Sequence, residues 1–404
     1  MVRLTFWLAL ALVGYTYVGY AAIVGLLARL RPRRTGSHTG AQRDILSHEA
    51  LPDEYLPPVT LIIPAYNEVA VIRRKVANCR SLDYPTERLR LLFVTDGSTD
   101  GTPEVLAAYP EITVLHAPKR MGKPAAMNHA MKFVQENAPT PIVVFTDANT
   151  EVNGAAIRRM VRHFADPSVG CVAGEKRVHA APIDQASSSG ESLYWRYESA
   201  VKRWESTLGN VMGAAGELFA IRTDCYVPLP ENALIDDFVL SFRIAMQGKR
   251  LIYEPDAYTL EHGSASIGEE WKRKRRIAAG GIQAVLWLTP LLNPLRYGLL
   301  SWQYVSHRVL RWTVTPMALV LLLPLNGWLA WRRGGLYSLL MAGQGVFYGA
   351  AWLGWRLEAR RIRFKPLFVP FYFTLMNVAV FAGLAHFLRG RTDVRWERAQ
   401  RAEP

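Results

Sequence analysis

Cysteine is scarce in this chain: three among 404 residues, Cys79, Cys171 and Cys225, odd in number and far apart. That excludes a disulfide framework and a cysteine-built zinc cluster, and it suits a folded part facing a reducing compartment. Acidic residues are outnumbered, 34 Asp+Glu against 48 Lys+Arg, which leaves a formal charge of +14. Internal repeats and low-complexity tracts are missing. His129, His163, His179 and His262 show no metal-ligand spacing, so each reads as structural. Half of the residues are hydrophobic, too many for a disordered chain, and a fifth are charged, too many for one held wholly in lipid. Such a composition mixes two kinds of sequence.

The apolar residues are concentrated at the two ends. Leu4–Leu30 carries one charge, Arg29, near its end, and Arg31, Arg33 and Arg34 follow. About 20 apolar residues span a bilayer, and this run exceeds the roughly 7–15 of a signal-peptide core. It predicts a retained anchor over 1–34 whose C-terminal side is cytosolic. Residues 35–58 turn polar and proline-bearing, as a linker does. Apolar runs return at Thr313–Trp331, Leu336–Trp355 and Leu367–Leu388, predicting transmembrane helices over 309–389 and a polar basic tail over 390–404. In 269–308 the chain reads as basic amphipathic helices at the membrane interface, since Pro290, Asn293, Pro294 and Arg296 interrupt the apolar stretch Gly281–Leu300. One N-terminal and three C-terminal crossings would place Arg389, Arg391, Arg395, Arg398 and Arg401 outside, against the positive-inside tendency.

Residues 59–268 have the pattern of an α/β domain. Strand-like runs at Val59–Ile63, Leu91–Thr95, Ile112–Leu115, Ile142–Thr146 and Val169–Ala173 alternate with helix-length stretches Val69–Arg80, Pro124–Glu136 and Gly154–Phe164. This predicts an open, mostly parallel sheet with helices on both faces, whose ligands bind beyond the carboxyl ends of the strands. The first strand ends in Pro64-Ala65-Tyr66-Asn67-Glu68 and the second in Asp96-Gly97-Ser98-Thr99-Asp100-Gly101. Asp96 there can accept hydrogen bonds from a base or ribose, although turn and cap chemistry favours the same residue types. Gly122-Lys123-Pro124 opens a helix, where a lysine and free amides suit an anionic ligand. Ile142–Thr146 delivers Asp147-Ala148-Asn149, two oxygen-bearing side chains able to hold a divalent metal. Tyr194, Trp195, Tyr197 and Trp204 lie in Glu191–Leu208, where packing against the membrane region is the favoured role over sugar contact.

These segments, in this order, resemble the nucleotide-sugar half of glycosyltransferase family 2, the inverting GT-A class. Asp236-Asp237-Phe238 with Leu240, Ser241 and Arg243 resembles the family's acidic pair, whose second member is the general base. Gly213-Ala214-Ala215-Gly216-Glu217 is similar to its acceptor-side loop. Arg273-Lys274-Arg275-Arg276-Ile277 falls where membrane-embedded polysaccharide synthases carry a Gln/Arg-x-x-Arg-Trp motif. The flanking spans match that synthase branch, and the short length with one N-terminal span is most similar to the bacterial poly-β-1,6-N-acetylglucosamine synthases.

The resemblance implies a GT-A nucleotide-sugar-binding domain flanked by transmembrane helices in the plasma (bacterial inner) membrane, with its catalytic domain cytosolic. It implies transfer from a UDP-sugar, N-acetylglucosamine first among candidates, to a growing extracellular polysaccharide, as in biofilm exopolysaccharide synthesis. Single-step transfer to a lipid carrier or glycolipid is the alternative, and a nucleotide-sugar-sensing pseudoenzyme a third reading. Ala65, Tyr66, Glu68, Asp96, Lys123 and Asp147 would bind the nucleotide sugar, Arg273 and Arg276 its diphosphate, and Gly213, Gly216 and Glu217 the acceptor. Asp147 and Asn149 would hold Mg²⁺ or Mn²⁺. Asp237 would be the base, with Asp236 raising its pKa by like-charge repulsion. Membrane lipids and a small accessory membrane subunit are the other implied partners, and nucleic acid is not one. Two residues depart from the pattern: Asn149 stands where Asp is usual, and Ile277 where Trp is usual, which bear on metal binding and processivity respectively.

Overall fold

In the computed structural model of the protein, an eight-stranded sheet forms the centre of the α/β domain. Residues 1–31, 53–178, 188–261, 267–360 and 364–390 are described. Arg33 and Arg34, most of the expected linker, His179, His262, the side chains of Tyr194 and Trp195, and the basic tail from Arg391 lie outside them. The strands are β1 (Val59–Ala65), β2 (Leu89–Asp96), β3 (Ile112–Ala117), β4 (Ile142–Thr146), β5 (Glu151–Val152), β6 (Val169–Val178), β7 (Leu218–Arg222) and β8 (Arg250–Glu261). Their order is β3-β2-β1-β4-β7-β6-β8-β5. β3, β2, β1 and β4 run parallel. β7 is inserted antiparallel between β4 and β6, so the sheet is mixed; β8 is parallel to β6 and antiparallel to β5.

Both faces of the sheet are covered, which is why β1, β2 and β4 read as continuous apolar runs rather than alternating ones. Along β1 the side chains still alternate between two cores. Ile62 packs with Met127 and Met131 of α4 (Lys123–Asn137), while Leu61 and Ile63 pack with Ile72 and Val76 of α2 (Val69–Arg80). The short α3 (Thr102–Ala107) and α5 (Ala156–Val161) complete the second face. A fully buried aliphatic side chain contributes about 1.5–3 kcal/mol, so these two cores hold the strand ends in place.

The membrane side begins with α1, a helix over Val2–Leu30 with one π-turn at Tyr15–Gly19. Its first half packs Phe6 and Ala9 on Ala318 and Leu322; its second half packs Tyr20, Ala21 and Val24 on Val201 and Leu208 of α6 (Ser188–Leu208). Tyr197 and Trp204 of α6 also meet α1: the Tyr197 hydroxyl donates to the Tyr17 carbonyl at 2.7 Å, and Gly25 is open where the Trp204 ring lies. After α7 (Asp236–Met246), the basic residues Lys272–Arg276 and the apolar residues up to Trp287 form one unbroken helix, α8 (Ile267–Trp287). Beyond the turns at Pro290 and Pro294, α9 (Leu299–Tyr304) continues through a π-turn at Val305–Val309 into Leu310–Trp312.

Then follow α10 (Val314–Arg333), α11 (Leu336–Ala359) and α12 (Lys365–Leu388). Among the described residues, three helices are long and apolar enough to cross a membrane: Val2–Leu30, Val314–Arg333 and Pro366–Leu388. α11 has 24 residues, the length of a crossing, but Gln344 and its tyrosines and glycines leave it short of that apolarity. α12 lies close on α8, because Gly383 leaves no side chain between its backbone and Ala278.

Candidate active site

The carboxyl ends of β1, β2 and β4 and the start of α7 meet at one edge of the sheet. Asn67, after β1, takes a left-handed φ of 53°, which its short polar side chain tolerates. That turn is laced to the loop after β2: the Asn67 N–H donates to Ser98 Oγ at 3.1 Å, the Thr99 N–H to Asn67 Oδ1 at 2.8 Å, and the Glu68 N–H to Thr102 Oγ1 at 3.0 Å. Ala65 is buried at the end of β1, and the Tyr66 ring is covered by the Arg120 guanidinium at 3.6 Å. Asp96 has its two oxygens on backbone amides, Met121 at 2.8 Å and Gly122 at 2.7 Å. Its carboxylate therefore fixes the loop leading into α4. Gly97, at φ 67°, is required because a Cβ would strike the Arg120 backbone at 2.5 Å.

Lys123, the first residue of α4, occupies the centre. Its Nζ lies 2.6 Å from Asp147 Oδ1 and 3.9 Å from Asp236 Oδ2, and donates to the Gly216 carbonyl at 3.2 Å. Burial opposes its charge, but Asp147 and Asp236 outweigh burial and hold the ammonium above the ordinary lysine range. Asp236 and Asp237 form the first turn of α7. Burial raises both carboxyl groups. For Asp237, like-charge repulsion from Asp236 adds to burial against the pull of Lys123, and its pKa is pushed up to about 7. Burial thus exceeds the repulsion expected from the sequence as the cause.

The loop Gly213–Glu217 wraps this pair. Gly213, at φ 104°, rests on the Phe238 ring, and the Ala214 N–H donates to Ser241 Oγ at 3.3 Å. At Gly216 a Cβ would come 3.2 Å from Asp237 Oδ2, so the missing side chain leaves that carboxylate room. Glu217 is ion-paired with Lys176 at 2.8 Å and Arg273 at 3.4 Å. Burial works against its ionisation, yet Lys176 and then Arg273 outweigh it and hold the carboxyl well below its usual range. Arg276, one helical turn from Arg273 on α8, is lowered to about 10 by burial and by Arg273, against the attraction of Asp236, Asp237 and Asp147. It stays charged at neutral pH. The structure thus brings Lys123, Asp147, Asp236, Asp237, Gly216, Glu217, Arg273 and Arg276 together, with Asp96 beside Gly122, while Tyr197 and Trp204 lie away against α1. Lys176 and Arg120 were not singled out; Lys176 lies in β6 beyond the apolar run Val169–Ala173, where a charge reads as the end of a strand.

A divalent cation needs hard oxygen donors. Asp147 supplies a carboxylate, and Asn149 Oδ1 is buried with no hydrogen-bond partner, an acceptor lacking its positive neighbour. These two residues fit such an ion, with the remaining ligands left to phosphate oxygens and water. No cluster of three His, Cys, Asp or Glu able to hold a metal occurs among the described residues.

A mixed sheet with an acidic strand end and an acid pair opposite it defines a GT-A domain, here flanked by apolar helices. Residues 60–226 match the family model described as Glycosyl transferase family 2. The chain is 26% identical over 241 residues to the poly-β-1,6-N-acetyl-D-glucosamine synthase of Staphylococcus aureus (strain COL), covering 57% of this chain and 56% of that protein. It is 27% identical over 241 residues to the β-monoglucosyldiacylglycerol synthase of Synechocystis sp. (strain ATCC 27184 / PCC 6803 / Kazusa), covering 57% of this chain and 49% of that one. It therefore spans about half the length of these relatives. Among solved structures, the mannosyltransferase PcManGT from Pyrobaculum calidifontis, in complex with GDP-Man and Mn²⁺, has a similar fold. The TM-score is 0.67 at 23% identity, over 96% of this chain and 99% of that one.

Proposed function

We propose that this chain is a membrane-bound inverting β-glycosyltransferase. It moves a sugar, N-acetylglucosamine first among candidates, from a UDP-sugar onto a growing extracellular polysaccharide, working from the cytosolic face of the plasma membrane. The observation that carries this reading is Asp237: a half-buried carboxyl whose pKa is pushed up to about 7, within the field of Lys123 and beside the space left by Gly216. A general base works best with a pKa near the working pH.

Ala65, Tyr66, Glu68, Asp96, Lys123 and Asp147 line the donor side of the site, and Gly213, Gly216 and Glu217 the acceptor side. The acceptor hydroxyl gives its proton to Asp237 as its oxygen attacks the anomeric carbon. The bond from that carbon to the diphosphate oxygen breaks on the opposite face, and this single displacement inverts configuration. Arg273 and Arg276 bring guanidinium charge to the departing diphosphate. Asp147 and Asn149 would hold Mg²⁺ or Mn²⁺, which when bound supplies countercharge to the diphosphate oxygens. Asp236 keeps Asp237 basic, and Lys123 limits the repulsion between the acids.

A second reading, transfer of one sugar to a lipid acceptor, draws support from the Synechocystis relative, which is matched over as much of the chain, and from Ile277, which lacks the indole face of the synthase motif. Purified full-length protein incubated with radiolabelled UDP-sugars and Mg²⁺ or Mn²⁺ separates the two. A labelled polymer supports the first reading and a single sugar in the lipid extract the second. Neither transfer nor donor hydrolysis would contradict both.

A further inference from the structure

Where the catalytic domain meets the membrane helices there is a buried polar cluster with no part in the chemistry above. Tyr20 of α1 donates to Glu205 Oε1 of α6 at 2.6 Å, and His307 of α9 bonds the same oxygen through Nδ1. Through Nε2, His307 faces Glu198 Oε2 at 3.3 Å, and Arg311 donates to Glu198 Oε1 at 2.6 Å. Tyr20, Glu205 and His307 are completely buried. Burying such charges is costly, and it is no general source of stability.

The cluster reaches the active site through Met212, and the Arg308 guanidinium also lies 5.8 Å from the Phe238 ring centroid. Glu205 Oε2 accepts the Met212 N–H at 3.2 Å, and Arg308 Nε donates to the Met212 carbonyl at 2.8 Å. Both backbone groups of Met212 are thus held by side chains of α6 and α9, and Met212 immediately precedes the loop Gly213–Glu217. Four residues on, Gly216 lies against the Asp237 carboxylate, with Gly213 and Ala214 already seated on α7. Little slack separates the clamp from the base. Two π-turns, features that often mark functional positions, meet at the same place: Tyr15 Oη of α1 is 2.7 Å from Ser306 Oγ of α9.

We propose that Glu205 and Arg308 are positioning residues for the acceptor side of transfer. Acting through Met212, they set the loop Gly213–Glu217 against Asp237, and through Tyr20 and His307 they tie that setting to the N-terminal membrane helix. This rests on the transferase reading above.

The test compares Arg308→Ala, Arg308→Lys and Tyr20→Phe in the full-length protein. Arg308→Ala is expected to lower kcat by about tenfold to a hundredfold, the scale of an ångström-sized misplacement. Acceptor KM rises, while the affinity for UDP-sugar stays at the wild-type level. Arg308→Lys, which keeps a donor for the Met212 carbonyl, recovers part of the loss. Tyr20→Phe moves kcat in the same direction by less. Hydrogen exchange at the amides of Gly213–Glu217 is expected to accelerate in both Arg308→Ala and Tyr20→Phe. That readout needs no sugar transfer, so an inactive wild type would sink the transferase reading while leaving the clamp measurable. Unchanged kcat and exchange would overturn the inference, and so would loss of donor binding in proportion to a lowered Tm. If Arg308→Ala does not fold, Arg308→Lys and Tyr20→Phe decide it by the same readouts.

Discussion

Lys123 Nζ lies 2.6 Å from Asp147 Oδ1, and the same ammonium also reaches Asp236 and the Gly216 carbonyl. Three aspartates, 147, 236 and 237, converge on this ammonium. The site's protonation state follows from that balance more than from any one carboxylate.

The acid limb of kcat/KM should fall near pH 7. The base works ionised, so activity rises with pH through the Asp237 value of about 7. Its effect on stability has the opposite sign. Asp237 holds its proton more tightly in the folded chain than in the unfolded one, so stability declines from the ordinary aspartate pKa up to about 7 and stays lowered above that. Paired pH–rate and pH–Tm measurements check both signs.

Lys123→Met should move that acid limb to higher pH. Lys123 is the largest influence lowering the Asp237 pKa, and an apolar isostere leaves the aspartates facing each other without countercharge. A pH–rate profile of the variant reads the shift, and an unmoved limb would remove Lys123 from this role.

Arg276→Ala should raise the UDP-sugar KM by about tenfold to a hundredfold, the scale of a lost charged hydrogen bond. Because Arg276 stays charged at neutral pH with a value of about 10, its contribution should be flat between pH 6 and 8. Titration calorimetry with UDP in detergent free of anionic lipid separates this from attraction to headgroups.

Asn149→Asp should tighten Mn²⁺ binding by about tenfold, since ligand charge tunes the affinity of oxygen sites. Calorimetry or spin-resonance titration of Mn²⁺ measures it without turnover. An unchanged affinity would place the ion away from the unpartnered Asn149 oxygen.

Much of this arrangement was legible in the sequence because β1, β2 and β4 are buried on both faces and end in the residues that form the site. β6 was read as ending at Ala173 yet runs to Val178. Glu175 and Lys176 break the apolar pattern there, but Glu175 is paired with Lys202 and Tyr253, and Lys176 with Glu217 and Glu261. β8 was hidden by Pro255 and by its alternation of charges with apolar residues. The clamp was not visible at all. Glu205 and His307 are 102 positions apart, and each alone reads as a solvated charge or structural histidine until α6 and α9 close over both.

The measurement that reaches the central claim most directly is transfer by Asp237→Asn beside its affinity for UDP-sugar. The account predicts donor binding at the wild-type level with transfer reduced by about a hundredfold to ten-thousandfold, the range of a lost general base. Near-normal turnover by Asp237→Asn would contradict it.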